Sequence, residues 1–330
     1  MSVAIVILNW NGKKLLEEFL PSIMQFSEGA TIYMADNASS DDSVSFVSEK
    51  FPEIRIIQNK VNGGFSKGYN DALSSLSEDI FILLNSDVEV TENWLGPVLS
   101  EFSKDESLVA AQPKILDYNN KDYFEYAGAA GGYIDKLGYP YCRGRVFNSI
   151  EKDEGQYDDI VEIFWATGAC LFVKREAFWK TGGLDEDFFS HQEEIDLCWR
   201  MQANGGTIKY IGTAVVYHVG GATLASSDPK KTFYNFRNTL LILVKNVKSR
   251  GIWWVIILRL ILDGIAGFQF LLQGKGNHFL AVIKAHFSFY GLLARFLRKR
   301  KTQATRLKYF KINSIVWKYF IVKKRNFNTL

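Results

Sequence analysis

An α/β fold is what this sequence predicts: a doubly wound, mostly parallel sheet, followed by a basic, apolar, helical segment associated with a membrane. Three observations predict it. Short apolar runs alternate with helix-length stretches at the spacing of βα units over residues 1–100. One run, Ile80-Phe81-Ile82-Leu83-Leu84, halts abruptly in Asn85-Ser86-Asp87-Val88-Glu89, as a strand buried on both faces does at its polar end. Charge then divides the chain. Residues 1–229 hold 18 Lys/Arg against 35 Asp/Glu, a net of −17. Residues 230–330 hold 21 Lys/Arg against the single acid Asp263, a net of +20.

The strands fall at 3–8, 31–35, 54–58 and 80–84, each rich in Val, Ile, Leu or aromatic residues. Helices fit between them, near 13–26, 41–50 and 66–77. Asp36-Asn37-Ala38-Ser39-Ser40-Asp41-Asp42 gives a strand-end acid and then N-cap chemistry for the next helix. Right-handed crossovers put these strand-end loops on one edge of the sheet. Residues 117–160 are polar, Gly- and Tyr-rich and poorly periodic, which suggests a specificity region over that edge. Strand signals resume at 162–165 and 170–173, a helix covers 192–204 up to Gly205-Gly206, and strands follow near 207–211 and 213–217.

At 330 residues and 47% hydrophobic content, the chain is long enough for one large core plus an appendage. The charge split puts the boundary at Asp228-Pro229, separating a catalytic domain, 1–228, from a membrane-associated region, 229–330. Cys142, Cys170 and Cys198 follow no metal-ligand spacing and read as free thiols of a reducing compartment. Met1-Ser2 runs straight into the first strand without a basic leader, so the acidic half is expected in the cytosol.

Ligands of open α/β sheets sit beyond the carboxyl ends of the strands, where Asp87 stands with Asn85 and Glu89 two residues away. Oxygen donors at that spacing suit a hard divalent cation that also binds substrate phosphates; the plainer alternative is a polar strand-to-loop turn. Asn62-Gly63-Gly64-Phe65-Ser66-Lys67-Gly68 lets backbone approach a phosphate at a helix N-terminus. It is no P-loop, because Tyr69-Asn70 stands where Lys-Ser/Thr would follow, and taken alone it reads more readily as an ordinary tight turn. In His191-Gln192-Glu193-Glu194-Ile195-Asp196-Leu197-Cys198-Trp199-Arg200, helical spacing puts Glu193, Asp196 and Arg200 on one face, with an Asp196–Arg200 ion pair. Ile195, Leu197, Cys198 and Trp199 make the segment too apolar for a freely solvated helix. His218 ends an apolar strand, where it can ligate a metal or simply hydrogen-bond.

In combination these pieces resemble the inverting family-2 glycosyltransferases of GT-A fold, nearest to bacterial rhamnosyltransferase-like enzymes of surface polysaccharide synthesis. The resemblance covers about residues 1–225 and rests on the strand with Asn9-Trp10-Asn11, on Asp36-Asn37-Ala38-Ser39, on Asn62-Gly63-Gly64-Phe65, on Leu84-Asn85-Ser86-Asp87, and on Glu193-Glu194-Ile195-Asp196-Leu197 with Arg200. It implies an inverting, metal-dependent hexosyltransferase that uses a nucleotide-sugar donor and a lipid-linked or glycan acceptor. Asn9, Asn11, Asp36, Asn37, Asn62, Gly63, Gly64, Lys67 and Asn85 would then bind the donor. Thr167, Gly168, Ala169, Asp196 and Arg200 would lie near the sugar and acceptor. Asp87 and His218 would hold Mg²⁺ or Mn²⁺, and Glu194 would be the base. Two departures matter. The family's Glu-Asp pair reads Glu193-Glu194, which leaves Glu193 as an alternative base. The first Asp of Asp-x-Asp is Asn85, so Glu89 is a further candidate ligand.

Residues 252–273 are nearly all apolar and long enough to span a bilayer, yet contain Arg259 and Asp263, four apart. A second stretch, 278–297, is interrupted by Lys284, His286 and Arg295. Arg298-Lys299-Arg300-Lys301 and Lys323-Lys324-Arg325 follow, with Trp317, Tyr319 and Phe320 between them. Basic and aromatic residues interleaved this way also suit nucleic acid. Long apolar runs beside them favour an anionic membrane surface and no nucleic acid, with either interfacial helices or a spanning hairpin at the cytoplasmic face of the inner membrane. Two other functions compete: a nucleotidyltransferase, against which the first loop lacks a Gly-rich basic signature, and a non-catalytic scaffold, against which Asp87, Glu194 and His218 persist together.

Overall fold

The computed structural model describes residues 1–220, 228–249, 251–300 and 307–330. Four strands, β1 (Val3–Asn9), β2 (Thr31–Asp36), β3 (Arg55–Gln58) and β4 (Ile80–Asn85), alternate with α1 (Lys13–Phe26), α2 (Ser43–Lys50) and α3 (Gly64–Leu73). They pair in parallel, in the spatial order β3-β2-β1-β4. Period-two alternation explains the continuous apolar runs. Val3, Ile5, Ile7, Ile80, Ile82 and Leu84 enter one core layer, while Ala4, Val6, Phe81 and Leu83 enter the other. Helix α1 closes the first layer with Leu16, Phe19, Leu20 and Ile23, the i, i+3, i+4, i+7 stripe of an amphipathic helix.

Beyond β4 the sheet departs from simple winding. After β5 (Val88–Val90), α4 (Gly96–Lys104) and β6 (Leu108–Asp117), the chain folds residues 117–160 into a small antiparallel sheet. Its strands are β7 (Gly132–Ile134), β8 (Pro140–Cys142), β9 (Arg145–Val146) and β10 (Ser149–Ile150). The poorly periodic 117–160 stretch is thus ordered structure, with Tyr133, Tyr141 and Tyr157 buried in it. The chain re-enters the main sheet through β11 (Ile160–Glu162) and β12 (Cys170–Lys174), then passes α5 (Arg175–Lys180) and α6 (Glu193–Ala203) to β13 (Thr207–His218). Strand β12 runs antiparallel between β4 and β6, so the nine-stranded sheet is mixed but parallel-rich. Cys142, Cys170 and Cys198 are free and buried.

The charge boundary at 228–229 is not a packing boundary. Helix α7 (Pro229–Asn246) is buried throughout Arg237–Asn246, and Leu240 to Val244 join the main core. Helices α8 (Ile252–Leu272) and α9 (Gly276–Arg300) pack on it; each is long and apolar enough to cross a membrane. Helix α8 has two faces. Ile252, Ile256, Arg259, Asp263 and Gly267 are buried against the protein. Trp253, Trp254, Ile257, Leu258, Ile261, Ile265, Phe268 and Leu272 are exposed. Arg259 and Asp263 do pair, at 3.2 Å, and they face the small sheet, where Arg259 donates to the Leu137 carbonyl at 2.9 Å and stacks on Tyr139. Part of the expected basic cluster is also occupied internally: Lys299 pairs with Asp187 at 2.7 Å, and Arg300 donates to the Val244 carbonyl. Lys301 lies outside the described residues.

Candidate active site

Register brings the sequence motifs to one edge. Asn9 lies opposite Asp36, and Leu8 opposite Asn85, so β1, β2 and β4 end together. Asp36 accepts from the Asn9 amide at 3.2 Å and from the Ser39 backbone N–H at 3.1 Å. Asn11 accepts from the Ser40 N–H at 2.7 Å. The Asn37 amide donates to Asn62 Oδ1 at 3.0 Å and to the Gly64 carbonyl at 3.1 Å, which ties the glycine loop to the end of β2. Gly64 has φ +77°, and a Cβ there would fall 2.7 Å from Phe189, so both conformation and space require glycine.

Antiparallel β5 on β13 carries Asp87 back to His218. Asp87 Oδ1 stands 3.2 Å from His218 Nε2, and the Asn85 amide lies 3.4 Å from the same nitrogen. Glu125 Oε2 stands 3.5 Å from Nδ1 on the far side of the ring, near enough for ion pairing but outside good hydrogen-bond geometry. Burial disfavours the imidazolium, but Asp87 and Glu125 outweigh it and hold His218 up at about 10. Among the described residues no group of three or more His, Cys, Asp or Glu is arranged to hold a metal ion. Asp87 and His218 nevertheless fit a cation that takes its remaining ligands from phosphate and water: such a cation would displace the imidazolium proton, and the pair would then offer one oxygen and one nitrogen donor, side by side, in an open cleft.

That cleft has a volume of about 2630 Å³. Its lining includes Asn11, Asn37, Asn62, Gly64, Asn85 and Asp87 from the strand-end motifs, together with Thr167, Gly168, Ala169, Glu193, Glu194 and His218. The Thr167-Gly168-Ala169 loop is fixed beside Asn85, whose N–H donates to the Ala169 carbonyl at 3.0 Å. Glu193 and Glu194 begin α6, and both are pushed up by burial. The neighbouring Glu194 pushes Glu193 further, well above the carboxylate range, and Glu194 rises to about 7. Among the described residues Glu193 Oε2 finds no hydrogen-bond partner. Two buried acids displaced to different extents are the usual substrate of acid–base chemistry.

Several expected site residues face elsewhere. Asn9, Asp36 and Gly63 brace the wall from behind without lining the cleft. Lys67 pairs with Asp71 at 2.8 Å on the exposed side of α3, and Glu89 pairs with Lys121 at 2.5 Å. Asp196 is fully buried against Arg200 at 2.8 Å, Lys245 at 2.7 Å and the Asn246 amide at 2.9 Å. Burial would raise its pKa, but Arg200 and Lys245 hold it well below the carboxylate range. Asp196 and Arg200 therefore fasten α6 to α7 and to the 181–183 turn, outside the lining of this cleft. Glu125 escaped sequence reasoning: it sits in a stretch without periodicity, and its partner His218 is distant in the chain. Lys231 and Tyr234 of α7 also line the cleft unforeseen.

A parallel-rich sheet with an acid and a histidine at its carboxyl edge, facing a buried acidic helix start, defines a GT-A glycosyltransferase. Residues 2–182 match the family described as Glycosyl transferase family 2, and the chain belongs to it. The N-acetylglucosaminyl-diphospho-decaprenol L-rhamnosyltransferase of Mycobacterium tuberculosis is 24% identical over 276 residues, 79% of this chain and 89% of that protein. The low-salt glycan biosynthesis hexosyltransferase Agl10 of Haloferax volcanii is 24% identical over 60% of this chain and 61% of its own length. Among solved structures, S. aureus TarS 1–349 in complex with UDP-GlcNAc superposes with a TM-score of 0.56 at 13% identity, covering 93% of each chain. GalNAc-T7 with UDP, GalNAc and Mn²⁺ gives 0.54 at 17% identity over 66% of this chain, which spans only 43% of that one.

Proposed function

We propose that this glycosyltransferase moves a hexosyl group, with inversion, from a nucleoside-diphosphate sugar to a hydroxyl of a lipid-linked glycan in bacterial surface polysaccharide synthesis, at the cytoplasmic face of the membrane. One observation carries the reading: the Asp87–His218 pair and the Glu193–Glu194 pair open on a single cleft whose lining also includes apolar α8 residues such as Trp254, Leu258 and Ile265. A sugar diphosphate meets the first pair, an acceptor hydroxyl the second, and a lipid chain the third. The relative that acts on a diphospho-decaprenol acceptor supports the same assignment.

In this reading Asn11, Asn37, Asn62 and Gly64 cradle the nucleotide, and Asp87 with His218 hold a divalent cation, Mg²⁺ or Mn²⁺, which would neutralise charge on the departing diphosphate. Glu194, half ionised near neutral pH, takes the acceptor hydroxyl proton as the new C–O bond forms opposite the breaking bond to the diphosphate. Glu193, its carboxyl pushed up by burial and by Glu194, would hydrogen-bond a sugar or acceptor oxygen. The outer face of α8 lies in the membrane interface. A spanning α8 would place Arg259 and Asp263 at mid-membrane, at about 2.5–3.5 kcal/mol each, whereas docking leaves them paired against the small sheet. Incubating the protein with UDP-, GDP- and dTDP-sugars, Mn²⁺ and a polyprenyl-diphosphate-sugar acceptor tests the proposal. Release of nucleoside diphosphate only with acceptor present is expected; release of pyrophosphate, or of nothing from any donor, would refute it.

A further inference from the structure

We infer that Arg237, Asn238 and Thr239 of α7 are positioning residues for the Glu193–Glu194 pair, so that a helix of the basic tail sets the geometry of the catalytic acids. The inference rests on the function proposed for that pair. Its starting point is the segment that enters α6, where three residues other than glycine hold left-handed backbone: Phe189 at φ 66°, His191 at 67° and Gln192 at 71°. Such conformations persist only where the surroundings over-determine them, and they gather at functional sites.

The surroundings here are α7. The Asn238 amide, fully buried, points at the carbonyls of Phe188, Ser190 and His191, at 3.2, 2.9 and 2.7 Å. Arg237 donates to the Phe188 carbonyl at 2.9 Å, and its Nε donates to Asn238 Oδ1 at 2.8 Å, which fixes the way the amide faces. The Thr239 hydroxyl donates to Gln192 Oε1 at 2.9 Å, one residue before Glu193. The Phe189 ring also stacks on Tyr234 of α7, while the Phe189 carbonyl accepts the Phe65 N–H of the glycine loop at 2.9 Å. The segment is thus clamped between the glycine loop and α7. Inside the segment the Ser190 N–H bonds the Phe188 carbonyl at 2.8 Å and the Asp196 N–H the Gln192 carbonyl at 3.1 Å; the bonds that tie its left-handed turns to the rest of the protein come from α7 and the glycine loop.

The experiment uses full-length protein on anionic vesicles and compares Asn238→Ala and the near-isosteric Thr239→Val with Arg300→Ala. The last loosens the other end of α7, where Arg300 donates to the Val244 carbonyl, without touching the acidic segment. Two readings are taken: hydrogen exchange of the 186–194 segment, and the split between kcat and donor KM. Asn238→Ala should raise exchange in that segment selectively and lower kcat roughly 10- to 100-fold with donor KM within about threefold, since small displacements of a catalytic group weaken chemistry before binding. Thr239→Val should do the same more weakly, and Arg300→Ala should do neither. Unchanged protection of 186–194 in both clamp variants would overturn the inference, as would a kcat loss that Arg300→Ala reproduces. Should Asn238→Ala fail to fold, Thr239→Val alone decides on the same criteria. If wild type turns over no nucleotide sugar, the proposed function falls, while the exchange result still judges the clamp.

Discussion

The acidic and basic halves of this chain handle charge in opposite ways. In the first 229 residues the acids converge on a cleft and stay partly uncompensated: Glu193 has an oxygen unpartnered among the described residues, and burial raises both members of its pair. In the tail, cations are matched to acids of the other half. Lys245 meets Asp185 and Asp196, Arg295 meets Asp187, and Lys299 meets Asp187. The split of −17 against +20 is therefore in part intramolecular complementarity, and only the remainder is available to an anionic membrane. A boundary in composition need not be a boundary in packing.

The sharpest way to break that comparison is to cut the chain at its charge boundary. A 1–228 fragment loses Lys245 and Asn246, leaving Asp196 buried with Arg200 alone, and it uncovers the core surface that Leu240 to Val244 close. Stripping a buried charge of a partner costs about 3–5 kcal/mol, against a total stability of roughly 5–15 kcal/mol. The fragment is expected to show no cooperative thermal transition by near-ultraviolet circular dichroism. A melt like that of the full chain would restore the boundary at 228.

Next come the groups of the acidic half. Asp87→Ala should abolish transfer and the metal dependence of nucleoside diphosphate binding, read by calorimetry with and without Mn²⁺; wild-type affinity and metal dependence would remove Asp87 from the site. Glu194→Gln keeps the shape and should cost roughly 10²–10⁴-fold in kcat, with donor affinity near wild type. The sign of the pH effect follows from its role. A base must be ionised, so with its pKa raised to about 7 the wild-type kcat/KM should rise with pH up to about 7 and level off above. An acid limb near the ordinary carboxylate value, or a normal rate in Glu194→Gln beside an inactive Glu193→Gln, would move the base to Glu193. Smaller again is Glu125→Gln. If its carboxylate orients the His218 ring from behind, Mn²⁺ affinity measured with nucleoside diphosphate should fall about 10–100-fold. An unchanged affinity would leave Glu125 a merely buried neighbour.

These residues also show what a sequence can and cannot convey. The β1–β4 core was legible because each strand alternates between two apolar layers, and the strand-end motifs followed from the topology. Glu193 and Glu194 were legible as a pair through the family resemblance, whereas helical spacing alone grouped Glu193 with Asp196 and Arg200. The Asp196–Arg200 pairing was legible from helical spacing, but a buried ion pair and a ligand-binding pair share that spacing, and Lys245, from a different element, is what shows this pair fastened inside the protein. Lys67 and Glu89 sit inside genuine motifs, but side-chain direction turns each toward a local partner, Asp71 and Lys121. Glu125 and the α7 clamp depend on contacts between distant segments, which no local pattern encodes.

The smallest effects lie at the membrane, where the remainder of the basic charge acts. Lys311, Lys323 and Arg325 are exposed, as are Trp317, Phe320 and Ile321, and the outer face of α8 is apolar along its length. Each exposed cation is worth about 1 kcal/mol on anionic lipid, so Lys323→Gln or Arg325→Gln should weaken binding to phosphatidylserine vesicles only about fivefold. High salt should strip part of the full-length protein, because exposed charges are screened over about 10 Å at 0.1 M, while the apolar face of α8 keeps the rest bound. Alkaline carbonate should release that remainder if α8 lies in the interface. If carbonate releases nothing and detergent is needed, α8 and α9 span as a hairpin, and Arg259 and Asp263 would have to leave their contacts with Leu137 and Tyr139 to enter the bilayer. Displacement of the protein from vesicles by competing RNA would instead assign the exposed cations to nucleic acid, and the apolar face of α8 would then lack the partner proposed for it.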